Sequence, residues 1–156
     1  MEIINLDPHH PEVSQLLRDI DALMNTLYPP SSNQLIPADE LAAPDVYFVG
    51  ARTEQTLMGC GALVPKTDGA GELACYAELK RVYVQPPYRG LGVSKQIMQS
   101  LIEHARRCGF KVLRLETGIR QTEAIGLYTS LGFIQCEAFG SYEPDPLSVY
   151  MELHLS

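Results

Sequence analysis

The chain has 156 residues, 46% of them hydrophobic and 20% charged, and a formal net charge of −7. That length suits one domain, residues 1–156, with a core of its own. No apolar run approaches the ~20 residues of a membrane span, so no membrane partner is expected. The acidic balance argues against nucleic acid as a partner, because a phosphate backbone calls for a basic face.

Several further exclusions follow from the chain's beginning and its cysteines. MEIINLDPHH has no basic segment leading into an apolar one, so no secretory signal is expected and the chain reads as cytoplasmic. The four cysteines, Cys60, Cys75, Cys108 and Cys136, form no C-x-x-C pair and read as reduced, mostly buried thiols.

In chain order, Glu2 to Leu6 is a short strand candidate. Val13, Leu16, Leu17, Ile20, Leu23, Met24 and Leu27 recur at helical spacing and make one apolar face. Tyr28-Pro29-Pro30-Ser31-Ser32-Asn33 ends that helix, since proline cannot continue it. A short second helix is expected at Ala38 to Ala43. Strands follow at Val46 to Ala51 and at Leu57 to Val64, the latter weakened by Gly59 and Gly61. Lys66 to Gly71 is a turn. Glu72 to Val84 is a long strand region, clearest from Tyr76 onward. Val93, Ile97, Leu101, Ile102 and Ala105 mark a helix of roughly five turns, with Gly109 at its cap. Val112 to Glu116 is a strand, Glu123 to Leu131 a helix stopped by Gly132, and Phe133 to Glu137 and Leu147 to Leu155 the last strands. The order β-α-α-β-β-β-α-β-α-β-β describes an α/β fold. It has a mixed, mostly antiparallel central sheet, one parallel β-α-β unit around residues 78–115, and helices on both faces.

One junction raises a chemical question. V-Y-V-Q-P-P-Y-R-G-L-G-V-S places Arg89, Gly90 and Gly92 between a strand and a helix. A helix mouth offers free N–H groups and the positive end of the helix dipole. Glycines there let an anion approach closely, so a pyrophosphate fits. The common nucleotide motifs fail: Lys95 is misplaced for a P-loop, and Gln96 stands where a dinucleotide fingerprint needs its third glycine. From spacing alone, a plain turn and a phosphate cradle remain equally open.

Three segments resemble the GNAT N-acetyltransferase superfamily. Arg89 to Ser94 is similar to its acyl-CoA loop, with Ser94 where glycine or alanine is usual. A-I-G-L-Y-T-S-L-G-F, Ala124 to Phe133, is similar to its A-I-x-L-Y-x-x-L-G-F helix and turn. A-E-L-K-R-V-Y-V, Ala77 to Val84, is similar to the strand entering the loop. The resemblance implies a GNAT-like fold and acetyl-CoA as co-substrate. It implies cofactor contacts at Tyr83, Val84, Arg89, Gly90, Leu91, Gly92, Val93, Ser94 and Gln121, the last standing where the family often has asparagine. It implies strand-like bonding of Tyr83 and Val84 to the pantetheine at a bulge that splays the sheet, with the Val84 N–H as oxyanion donor.

For transfer to an amine, the resemblance also implies roles for a base and an acid. An amine of pKa ~10.4 must lose a proton to attack. Glu78 is the candidate base, against the plain reading of an exposed strand carboxylate paired with Lys80. Tyr128 is the candidate acid toward the CoA thiolate, against the plain reading of a packed core aromatic. His9, His10, His104 and His154 form no metal constellation, so no metal is expected. Cys60, Cys75 and Cys136 read as packed thiols, since direct attack by the amine needs no nucleophile.

The acceptor pocket is expected between Tyr28–Asn33 and Phe139–Tyr150, with Tyr28, Glu116 and Tyr142 as substrate-binding candidates. The expected reaction is acetyl transfer to a primary amine of a small molecule, such as an amino acid, a polyamine or an aminated metabolite. The alternatives are an acyl-CoA-binding sensor without turnover, or an enzyme acting on protein N-termini or lysines. A homodimer is open, with an exposed final strand as one possible interface.

Overall fold

The structure, a computed structural model, describes residues 1–32, 35–69 and 75–155. Asn33, the end of the expected turn at 70–71 and the first residues of the long strand region, 72–74, lie outside the described residues. The elements are β1 (Glu2–Asn5), α1 (Pro11–Leu27), α2 (Ala38–Leu41), β2 (Tyr47–Arg52), β3 (Leu57–Lys66) and β4 (Tyr76–Val84). They continue with α3 (Val93–Arg107), β5 (Val112–Gly118), α4 (Thr122–Ser130), β6 (Ile134–Cys136) and β7 (Ser148–His154). Short 3₁₀ turns lie at Pro30–Ser32 and Pro86–Tyr88. The order is the expected one. No helix among the described residues is long and apolar enough to cross a membrane.

The helices form where the sequence places their signals. His10 Nδ1 accepts the Glu12 N–H at 3.3 Å, Pro11 occupies the first turn, and Val13, Leu16, Leu17 and Ile20 are buried. Tyr28 still donates its N–H to Met24 O at 2.9 Å before the prolines turn the chain away. α3 spans 15 residues, about four turns rather than five. It starts at Val93, the first residue of the expected apolar face, because Gly92 before it is held in the left-handed region.

The seven strands are ordered β1-β2-β3-β4-β5-β7-β6. All neighbours are antiparallel except β4 and β5, which are joined through α3. The final strand was expected at an edge; β7 instead lies between β5 and β6, so its backbone is paired on both sides. One face of the sheet packs on α3 and α4, with Ile97, Met98, Leu101, Leu113 and Phe133 in that core. The other face packs on α1 and α2 through Leu16, Ile20, Leu41 and Phe48.

Two irregularities of the sheet position the site. First, β4 pairs with β5 only from Ala77–Leu79 against Leu113–Leu115, and beyond that the strands part. Second, the β3–β4 register jumps between Cys60↔Tyr83 and Ala62↔Lys80, so Arg81 and Val82 together face Gly61. The expected bulge at Tyr83 and Val84 therefore sits two residues earlier. Arg81 carries the bulge with φ +58°, a costly conformation for a residue with a side chain. The glycines of β3 do not shorten that strand, which runs ten residues. Gly59 lets the bulged strand press close: a Cβ there would lie 2.5 Å from Tyr83 O.

The bulge flips side-chain parity along β4. Before it, Ala77 and Leu79 face the α3 core, while Glu78 and Lys80 face the other way. After it, Val82 and Val84 face the α3 core and Tyr83 packs with the α1 side. Lys80 and Arg81 are adjacent in sequence, yet both stand on the face away from α3.

Candidate active site

The turn from β4 to α3 is held by its own residues. Arg89 Nε donates to Val84 O at 2.9 Å, and its guanidinium lies over the Tyr83 ring at 5.4 Å. Gly90 and Gly92 both have φ +79°, which glycine alone adopts without strain. A Cβ at either would meet nothing within 4 Å, so the space in front of the turn is open. Among the described residues the first backbone bond after the turn is Gln96 N–H to Gly92 O at 3.2 Å, which leaves the preceding N–H groups for a ligand. These features fit a pyrophosphate. Leu91 is exposed.

An open groove of about 410 Å³ runs from this turn toward α4. Tyr83, Val84, Arg89, Gly90, Val93, Ser94 and Gln121, named from the sequence, all line it, and Leu91 and Gly92 do not. Met24 and Leu27 of α1 form its far wall with Leu127 and Tyr128 of α4. A smaller cavity of about 110 Å³ lies inside the gap between β4 and β5. Tyr128 lines both spaces. It is 5% exposed and packs on Phe133, ring centroids 5.9 Å apart, so it belongs to the core as well. Among the described residues its hydroxyl has no hydrogen-bond partner. Burial pushes its pKa up, which keeps the proton on the oxygen.

Tyr28 lines the inner cavity. Its hydroxyl accepts the Arg120 N–H at 3.1 Å and donates to Gln121 Oε1 at 3.5 Å, tying α1 to the turn after β5. Gly118 makes this possible, since a Cβ there would overlap the Tyr28 hydroxyl. Gln121 Oε1 also accepts the Gly118 N–H at 3.0 Å, so this side chain organises the turn besides lining both spaces.

The two candidate carboxylates separate. Glu78 is 2% exposed, not the exposed strand residue of the plain reading. It does pair with Lys80 at 3.1 Å, and its Oε2 also accepts the Tyr142 O–H at 2.5 Å. Lys80 Nζ in turn contacts the Tyr142 hydroxyl. Residues 137–147 cover this cluster through Phe139 and Tyr142, so Glu78 does not line the inner cavity. Lys80 and Glu116 do. Glu116 Oε2 accepts the Ser148 O–H at 2.7 Å. Burial raises its pKa above the ordinary carboxylate value; Ser148 and Lys80 partly hold it down.

Tyr142 lies on a neighbouring cavity, between Ser31–Ser32 and residues 141–150, where Glu143 and Asp145 also stand. The two segments expected to frame the acceptor therefore face each other.

Arg81 and Ser148 were not anticipated. The readable sign of Arg81 was two adjacent charges, Lys80 and Arg81, in a strand that otherwise alternates. Its carbonyl accepts the Cys60 S–H at 3.2 Å, and burial pushes that thiol's pKa up to about 12, so Cys60 remains a neutral donor. Cys75 and Cys108 are exposed rather than packed, because Cys75 precedes β4 and Cys108 caps α3 on its outer side. Among the described residues no group of three or more His, Cys, Asp or Glu side chains is placed to hold a metal ion.

Comparison with known proteins places this geometry. The model of the Acetyltransferase (GNAT) family matches residues 13–133. The chain is 40% identical over 145 residues to the IAA acetyltransferase of Azospirillum brasilense, covering 93% of this chain and 92% of that one. Among solved structures, one assigned as an acyl-CoA N-acyltransferase from Klebsiella pneumoniae is 36% identical with a TM-score of 0.79, covering 99% and 97% of the two chains. The fold is shared with yncA of Salmonella typhimurium, solved with its cofactor acetyl-CoA, at 21% identity and a TM-score of 0.71 over 100% and 94% of the chains. The chain belongs to the GNAT family of N-acetyltransferases and is an acyltransferase whose co-substrate is acetyl-CoA.

Proposed function

We propose that the protein acetylates a primary amine of a small molecule by direct attack in a ternary complex. The observation that carries this is the position of Tyr128, where the larger groove meets a smaller cavity lined by a carboxylate. Residues 89–94 hold the pyrophosphate of CoA, and Tyr83 and Val84 hold its pantetheine along the free side of β4, with the Val84 N–H as donor to the carbonyl oxygen. Bound acetyl-CoA supplies the thioester. Glu116 takes the proton from the amine, because it lines the cavity and its pKa is raised toward the working range. Glu78 is assigned a positioning role: its oxygen is engaged by Tyr142 and Lys80 away from the cavity. The amine nitrogen bonds to the acetyl carbon, the carbon–sulfur bond breaks, the Tyr128 hydroxyl gives its proton to the departing sulfur, and the surplus proton on the new amide nitrogen restores the Tyr128 hydroxyl.

The small volume of the inner cavity, about 110 Å³ with Tyr28 in its wall, supports a small acceptor over a protein chain. The test is thiol release from acetyl-CoA with small primary amines and with peptides bearing a free N-terminus or lysine. Turnover of small amines at higher kcat/KM is expected. Peptides as the better substrates would overturn the small-molecule reading.

A further inference from the structure

Resting on that reading, we infer that the acceptor is a small amino-carboxylate, whose carboxylate docks on Arg81 and Lys80 while its amine faces Glu116. The charged residues that line the inner cavity differ in sign between its walls, and the carboxylates paired with its two cations, Glu78 and Asp21, do not line it. On the β4 side stand Lys80 and Arg81, brought to one face by the bulge; on the β5 side stands Glu116. A ligand with one cationic and one anionic group matches that arrangement. A polyamine matches only half of it.

Arg81 supplies the more specific observation. Its side chain is only 4% exposed. Nη1 pairs with Asp21 at 2.5 Å, and Nη2 donates to Ile36 O at 2.9 Å. These bonds fix the guanidinium in the cavity wall. Its Nε is buried and has no hydrogen-bond partner. A buried donor left without an acceptor costs about 1–3 kcal/mol. The left-handed backbone of Arg81 adds a further cost, and such costs collect where a ligand is handled. A tie between β4 and α1 needs only the Asp21 contact; it does not need an open Nε–H. A guanidinium that keeps an unpartnered donor after pairing with Asp21 can take a second carboxylate. Lys80 is already engaged by Glu78 and Tyr142, so it supports the same charge from a fixed position.

The experiment compares alanine, methionine and phenylalanine with their carboxamides, with the matching decarboxylated amines, and with spermidine, reading thiol release from acetyl-CoA. At least one free amino acid is expected to exceed its amide and its decarboxylated amine by about tenfold or more in kcat/KM, as a site built around a polar group requires. The amide's amine is the less basic, which works against this result and strengthens it if found. Arg81→Gly keeps a residue suited to the left-handed backbone; it should raise the KM for the amino acid about 10–100-fold and collapse the preference. Calorimetry with acetyl-CoA verifies that the variant is folded. If the variant does not fold, the wild-type comparison alone decides.

Amides, simple amines or spermidine used as well as the free acids would overturn the inference and leave the small-amine reading standing. A preference unchanged in folded Arg81→Gly would overturn the role of Arg81. No thiol release with any member of the panel would overturn the inference, and turnover of peptides alone would remove the small-molecule reading with it.

Discussion

The two sides of the cleft are built in different ways. The side proposed for CoA lies mostly in one contiguous run, Tyr83 to Ser94, and is built on backbone: two left-handed glycines, free N–H groups and one arginine tied to Val84 O. The acceptor side gathers Tyr28, Lys80, Arg81, Glu116 and Ser148 from four distant segments and works through side chains. Backbone recognition of a pyrophosphate tolerates changes of side chain but not of backbone conformation. Side-chain recognition of an acceptor can change at single positions while the fold stays the same.

The largest expected effect tests the backbone side. Gly92→Asp places a side chain on a φ of +79° and a negative charge beside the phosphates; acetyl-CoA affinity by calorimetry should fall at least about a hundredfold. Unchanged affinity would show that the turn is not a phosphate site. Next is the junction of the two sides. Tyr128→Phe should lower kcat about a hundredfold, the range of a general acid, with acetyl-CoA affinity kept within about twofold. Equal turnover would remove this hydroxyl from the mechanism.

The acceptor side is sharpened by pairing two variants. Glu116 works as a base only when ionised. Burial raises its pKa, so the rate should fall, as pH is lowered, at a higher pH than an ordinary glutamate would give. Glu116→Gln should cost roughly tenfold or more at neutral pH and abolish that acidic limb. Glu78→Gln should lower the rate by a smaller factor and leave the limb in place. If the limb vanishes with Glu78→Gln instead, the base assignments exchange. The smallest effect is expected for Tyr28→Phe. It removes the acceptor for the Arg120 N–H and should lower stability by about 1 kcal/mol, read by thermal unfolding, with a few-fold rise in acceptor KM.

These expectations differ in how visible they were beforehand. Apolar spacing located α1 and α3, because helix faces repeat within a few residues. The Arg89–Ser94 turn was legible for the same reason: glycine spacing and a following helix specify backbone conformation locally. Glu78 and Glu116 were not separable that way. Both are glutamates on strands two places apart in register from a basic neighbour, Lys80 and Arg114 respectively. What distinguishes them is that residues 137–147 fold over one while the parting of β4 and β5 uncovers the other. The bulge was anticipated near its true place but two residues late. It lies opposite Gly61 of β3, with Gly59 admitting the close approach of Tyr83, and these neighbours across the sheet are distant in sequence.

By itself, the sequence determined the order of the elements, the family and the glycine turn before α3, since each rests on local backbone preference or a contiguous motif. Only the tertiary structure decided which carboxylate lines the inner cavity, that Tyr28 ties α1 to the turn after β5, and that Lys80 and Arg81 share one face. Those depend on strand register and on segments dozens of residues apart coming into contact, and a one-residue change of register reverses every side chain beyond it.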